Sequence, residues 1–406
     1  MRSKGSILAF GSGITALGMG LLTPVLPAYA ASLGASAALI GLFLASFGFT
    51  RLLVGLPTGW LARRLGYRAL LVGSPALIVP ASVLCAVAGN FWSLALFCTA
   101  EGAAAAVYGT VSTAALAGEN RGAGRSLALY LAAGLLGASV GPLLGGIIAA
   151  QFGPRLPFVI YALLAAFAAW WLRRELNRQP DLLPSPAPEA RREKYSTNLA
   201  LTWRQVVNPK LRTLWLLSLT LVFARVGTQL LAAPLLGTIL LRLNSLQLGL
   251  ALSLIGVIGL LGFYPAGWLA DHLSLKTVIV GGGLVTVCAL LVLAVAGNYP
   301  VFLAGMGLLG LGSSLVGPAP LAYLAAFTSE GDRPIGISLY RTFGDAGATL
   351  APLLTGWLVD SIGYRISLAV LLNILLVAVA LFAWGAPKVK VACGTPAQGT
   401  TRSVIM

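Results

Sequence analysis

Twelve stretches of this chain are apolar for about 20 residues or more, the length that crosses the hydrocarbon of a bilayer. They run roughly over 6–31, 37–62, 69–90, 92–116, 126–150, 156–174, 211–237, 246–270, 276–297, 300–326, 335–359 and 365–386. In lipid the backbone has no water to bond to, so each span must satisfy its own N–H and C=O groups as a helix. The expected fold class is therefore an all-α polytopic membrane protein. Composition agrees. Hydrophobic residues make up 58% of the chain and charged residues 9%, against about 25% charged in a soluble domain. The formal charge of +16 does not point to nucleic acid, because the basic residues sit in short runs between apolar stretches and form no stripe with interleaved aromatics. The first run follows Arg2 and Lys4 and is too long for a cleaved signal, so it reads as the first membrane helix.

Lys and Arg orient the spans. With a cytoplasmic N-terminus, the inner segments hold Arg2, Lys4, Arg63, Arg64, Arg68, Arg121, Arg125, the basic residues of 173–212, Lys276, Arg333, Lys388, Lys390 and Arg402. The outer loops then hold only Arg155, Arg242 and Arg365. Both termini are expected on the cytoplasmic side of the cell (inner or plasma) membrane. The expected domains are a first six-helix bundle over 1–174, a polar, Pro-bearing cytoplasmic linker over 175–210, a second bundle over 211–387 and a tail over 388–406. Part of the linker near 189–201 could form a short amphipathic helix. Of four cysteines, Cys85, Cys98 and Cys288 fall within apolar stretches and Cys393 in the tail, with no spacing that suggests a metal site or a disulfide framework.

The two bundles repeat each other. Gly55 to Gly73 reads GLPTGWLARRLGYRALLVG, and Phe263 to Gly281 reads FYPAGWLADHLSLKTVIVG. Pro57, Gly59 and Arg68 thereby match Pro265, Gly267 and Lys276. A second echo pairs Tyr130, Gly134, Gly137, Pro142 and Gly146 with Tyr340, Gly344, Gly347, Pro352 and Gly356.

Two six-helix halves, a central cytoplasmic linker and a repeated loop resemble the major facilitator superfamily over almost the whole chain. That family's loop pattern G-x-L-A-D-R-x-G-R-K appears as Gly59-Trp60-Leu61-Ala62-Arg63-Arg64-Leu65-Gly66-Tyr67-Arg68. Arg63 stands where the family has an acid. The second copy keeps the acid as Asp271 but has Ser274 for the second glycine. The gating latch that the resemblance implies through the first-half acid is absent at Arg63. His272, the only histidine, sits in the same loop; it is a usual basic loop position or a proton switch. In the fifth span, Gly137, Gly141, Pro142, Gly145 and Gly146 resemble the signature of the family's exporters. Glycines four apart line one face and let a neighbouring helix approach. In the first span, Leu17-Gly18 followed by Pro24-Val25-Leu26-Pro27 resembles the twelve-helix drug exporters, the drug/proton antiporter group. In the fourth span, Cys98 and Glu101 replace an arginine and a glutamine of the exporter pattern.

Five ionisable residues fall inside spans, each at a cost of about 2.5–3.5 kcal/mol on insertion scales. Arg341 and Asp345 are four apart on one face, and either neutralise each other or take part in coupling. Arg51 is read as a structural ion-pair partner. The resemblance places the first, fourth, seventh and tenth spans around a central cavity, so Glu101, with Tyr108 on the same face, is a candidate to carry a proton or to meet a cationic substrate; otherwise it bonds to a neighbouring helix. Arg225, Thr228 and Gln229 make a polar stripe on the seventh span, suited to pairing with Glu101 or to an anionic group. Tyr264 and Tyr323 are candidate lining residues.

These features lead to an expected secondary active transporter, monomeric and without cofactor or metal, exporting small amphipathic molecules in exchange for protons. Uptake or exchange of an anionic metabolite, and a lipid-handling or receptor-like protein without solute flux, remain alternatives. No nucleotide-binding motif and no convergence of nucleophile and base supports an ATPase or an enzyme.

Overall fold

The computed structural model describes residues 3–117, 123–179, 206–209, 211–317, 319–329 and 332–387. The side chains of Arg51, Arg63 and Asp271 lie outside the described residues, as do the expected helix near 189–201 and the tail after Lys390. Among the described residues the chain is helical, with no strand. The helices are α1 (Lys4–Leu22), α2 (Leu26–Ser32), α3 (Ala37–Ala86), α4 (Phe91–Ala117), α5 (Ala123–Phe152), α6 (Leu156–Arg178), α7 (Arg212–Gly227), α8 (Ala233–Leu235), α9 (Ser245–His272), α10 (Leu275–Ala294), α11 (Tyr299–Val316), α12 (Ala319–Phe327), α13 (Arg333–Ile362) and α14 (Tyr364–Gly385). Two π-helical turns, Thr228–Ala232 and Leu236–Leu240, flank α8 and carry α7 onward as one span.

The breaks have local causes. Pro24 follows the end of α1 and removes a backbone donor, so the first span divides into α1 and α2. The π turns flank Pro234, which also lacks an N–H. The tenth span is interrupted between Val316 and Ala319. The second and third spans form one element, α3, folded back at Gly66, where φ is +82° and ψ is 153°. Only glycine adopts that backbone without strain. The second copy of the loop turns differently. Ser274 stands at φ −68° and ψ 138° as the N-cap of α10, and its Oγ accepts from the Thr277 N–H at 3.1 Å.

Ten helical stretches among the described residues are long and apolar enough to cross a membrane, and Ala37–Thr50 is a shorter apolar helix. The ten include the second limb of α3; with its first limb and α13 the spans number twelve, in agreement with the expected fold class. Large apolar side chains face outward, among them Leu261 at 71% exposure. Trp92 near the start of α4 and Trp384 near the end of α14 are exposed at span ends, where indoles favour the membrane–water boundary.

The chain forms two compact units, one from residues 1–195 and 237–256 and the other from 196–236 and 257–406, each over its described residues. In the first, α1 packs along α5, α3 against α4 and α6, and α1 against α6. In the second, α7 packs along α13, α10 against α11 and α14, and α7 against α14. The repeat in sequence is thus a repeat in packing. The first core gathers Leu8, Leu71, Tyr108, Leu172 and Leu176. Lysines tie helix ends in both units: Lys4 Nζ donates to the Ala115 carbonyl, and Lys276 Nζ donates to the Ala386 carbonyl at 2.6 Å.

Candidate functional site

The glycines of α5 build a close helix contact. Gly137, Gly141 and Gly145 are buried on one face. A Cβ at Gly141 would stand 2.6 Å from both the Gly20 Cα and the Leu17 carbonyl oxygen of α1. At Gly137 it would stand 2.8 Å from the Leu17 nitrogen, and at Gly145 2.7 Å from the Leu21 backbone carbon. Backbone therefore meets backbone, where dispersion is strongest and no side chain can intervene. Gly146 opens a second face. Within the first unit it meets Gly249 of α9, with 3.0 Å from its missing Cβ to the Gly249 Cα, and Gly256 sits against Ser139 in the same way. Pro142 lies inside α5 between these contacts. In the second unit Gly347 of α13 makes a like contact: a Cβ there would run into the Leu219 carbonyl of α7.

Of the candidate charges inside spans, those of the second unit are the more accessible. Arg225 of α7 and Arg341 of α13 are exposed, and Asp345 and Gln229 are half-buried. Arg225 acts electrostatically on Tyr340, whose carbonyl accepts from Ser218 Oγ of α7 at 2.9 Å. Arg225, Arg341 and Asp345 therefore lie within a pair of packed helices. Among the described residues, no ion pair within 4.0 Å joins Arg341 to Asp345, and none involves Arg225. Thr228 is wholly buried in the first π turn, and its hydroxyl has no hydrogen-bond partner.

Glu101 and Tyr108 have other surroundings. Glu101 is 4% exposed, on α4. Its Oε2 lies 3.9 Å from Cys85 Sγ of α3, which is itself 2.9 Å from Cys98 Sγ. Tyr108 donates to the Leu8 carbonyl at 3.1 Å and fills the space over Gly11, tying α4 to α1. Both residues sit inside the first unit, whereas Arg225 belongs to the second. Tyr323 is fully buried against Phe327 and Phe382, with ring centroids 4.9 and 5.4 Å away, and donates to the Pro387 carbonyl. Tyr264 is 86% exposed. In the loops, Arg64 and Arg68 are exposed and Gly66 makes the turn, while a side chain at Gly267 would meet nothing within 4 Å of its Cβ. His272 stacks on Trp268 at 4.3 Å and bonds its carbonyl oxygen through Nδ1 at 2.8 Å.

The pairing of Cys85 with Cys98 and Glu101 escaped the sequence. Cys98 and Glu101 are three apart on one helix, a spacing that puts them on one face, but Cys85 comes from another helix across a turn. Nothing local announces that meeting.

The sequence pattern of the Major Facilitator Superfamily matches residues 8–263 and 223–401. The Uncharacterized MFS-type transporter MJ1560 of Methanocaldococcus jannaschii is 23% identical over 356 residues, covering 86% of this chain and 89% of that one. The Inner membrane transport protein YajR of Escherichia coli is 37% identical over 90 residues, 22% of this chain and 20% of that protein's length. The Multidrug resistance protein B homolog of Mycobacterium tuberculosis is 35% identical over 134 residues, 29% of this chain and 25% of that one. Two solved structures share the fold. The nucleoside transporter NupG superposes with a TM-score of 0.76 at 13% identity, over 94% of this chain and 99% of that one. A bacterial homologue of the human lysosomal transporter Spinster, inward-facing and unoccupied, gives 0.77 at 15%, over 94% and 96%. Twelve spans in two halves that repeat in packing, a doubled loop motif and a pattern match along nearly the whole length have one account: the chain belongs to the Major Facilitator Superfamily.

Proposed function

We propose that this transporter exports small amphipathic molecules, drug-like compounds or metabolites, by alternating access in exchange for protons across the cell membrane, with both termini cytoplasmic. The observation that carries the reading is the backbone-to-backbone contact of Gly137, Gly141 and Gly145 with α1, which gives physical form to the exporter signature in the sequence. The partial likeness to a multidrug resistance protein homologue supports the same direction. Asp345 suits the role of proton carrier. It is half-buried, keeps solvent access, and has Arg341 one turn away and Arg225 on the helix packed against its own. Protonation removes, and deprotonation restores, a negative charge on this pair of helices, so one proton changes how they meet a substrate. Arg225, Thr228 and Gln229 serve substrate binding. The chemistry is transport rather than catalysis.

Inside-out vesicles test this. Acidifying the lumen is expected to speed lumenal accumulation of ethidium, and Asp345→Asn should reduce that acceleration about tenfold or more while leaving substrate counterflow in place. Two accessible arginines against one acid also favour a second reading, exchange of an anionic metabolite. A pH step without effect, together with flux driven by an anion on the far side, would remove proton antiport and establish that reading instead.

A further inference from the structure

A second constellation lies in the first unit, and export as proposed above makes no use of it. The donor atoms of Cys85, Cys98 and Glu101 all lie within 4.8 Å of one another, and all three residues are buried. Among the described residues, no ion pair within 4.0 Å involves Glu101. A further buried polar group belongs to the same unit. The hydroxyl of Tyr161 on α6 is buried without a hydrogen-bond partner, and the ionisable groups acting on it are Glu101 and Cys98. An orphaned hydroxyl in a packed interior is costly, so it calls for a partner. The two family departures in the fourth span, Cys98 for an arginine and Glu101 for a glutamine, both fall here.

We propose that Cys85, Cys98 and Glu101 bind a thiophilic divalent cation of the kind that Zn²⁺ represents. Two sulfurs and one carboxylate oxygen select a soft d¹⁰ ion over Mg²⁺ or Ca²⁺, which take oxygen donors. Two thiolates and the Glu101 carboxylate leave one net negative charge around a divalent ion, against three without it; the two thiol protons leave as the Cys–metal bonds form. Three protein ligands leave one tetrahedral position open. A Zn–S distance of about 2.3 Å in tetrahedral geometry sets the sulfurs about 3.8 Å apart, so the pair must part by about 0.9 Å from its 2.9 Å separation. The route in is short: Cys85 is next to the last residue of α3, and Cys98 is two turns into α4.

The test is an equilibrium titration of the full chain in lipid nanodiscs, with Cys288→Ser and Cys393→Ser, thiols reduced and reductant removed. The probe is Cd²⁺, whose thiolate bonds absorb in the near ultraviolet, with Zn²⁺ as competitor. The expected result is one ion per chain and a charge-transfer band that Zn²⁺ displaces. The band should halve in Cys85→Ser or Cys98→Ser, and affinity should fall about tenfold or more in Glu101→Gln. X-ray absorption of the zinc-loaded protein, which needs no variant at these positions, should show two sulfur neighbours. Absence of the band, its survival in the double Cys85→Ser, Cys98→Ser variant, zinc with no sulfur neighbours, or a Cys85–Cys98 disulfide that excludes the ion each overturns the proposal. No flux is measured, so failure here leaves the exporter reading standing, and failure of that reading leaves this site standing.

Discussion

Gly141 has little room for any side chain. Its missing Cβ is 2.6 Å from two backbone atoms of α1, neither of which can rotate away. Gly141→Ala is therefore expected to force α1 and α5 apart and to lower stability by about 1–3 kcal/mol, the usual cost of overpacking. A thermal-unfolding series in detergent checks it, and an unchanged midpoint would show that the contact tolerates a methyl group. Tyr161 is the converse case. In the metal-free protein its hydroxyl is buried and unpaired, so Tyr161→Phe should raise stability by about 1 kcal/mol; a clear loss in the same assay would mean the hydroxyl has a partner. These two residues also show what the sequence could convey. The four-residue spacing of glycines announces a close contact because periodicity along one helix is written in one stretch. The surroundings of Glu101 are not written that way. They come from Ser82 and Cys85, on another helix, and only packing brings them together.

Among the elements, the two copies of the helix-to-helix loop are the most informative. One turns at Gly66 with positive φ; the other turns at Ser274 with ordinary extended backbone and a side-chain cap. The substitution of serine for glycine, a departure when seen as a motif, is a change of device. Ser274→Ala should cost about 1 kcal/mol through the lost cap, and Ser274→Gly only a few tenths. Equal losses in the two variants, measured by the same unfolding midpoint, would assign the residue another role. Span positions were legible from hydropathy to within a few residues, since length and apolarity are properties of a stretch. The fine structure of the spans was less so. Pro24 and Pro234 are visible in the sequence, yet one ends a helix and the other sits between two π turns. A proline states that a hydrogen bond is missing, while its neighbours decide how the chain accommodates the loss.

At the scale of the whole molecule, duplication explains why the packing pairs of α1, α3, α4, α5 and α6 return as those of α7, α10, α11, α13 and α14. The compact units nevertheless do not coincide with the two halves of the chain, because residues 237–256 pack with the first. Gly146 and Gly249 meet there without room for a methyl group between them. The contact has a consequence for a divided gene. If residues 1–195 and 196–406 were made as separate polypeptides, the first would lack a helix segment that its own α5 is shaped to receive. It should accumulate poorly alone and recover when the second is made in the same cell, and Gly249→Leu in the second polypeptide should abolish that rescue. Membrane yield of the first fragment under the three conditions is the measurement, and full accumulation of the fragment by itself would defeat the expectation. A protein that was once two copies would then have become, through one pair of glycines, a molecule whose halves can no longer be inherited apart.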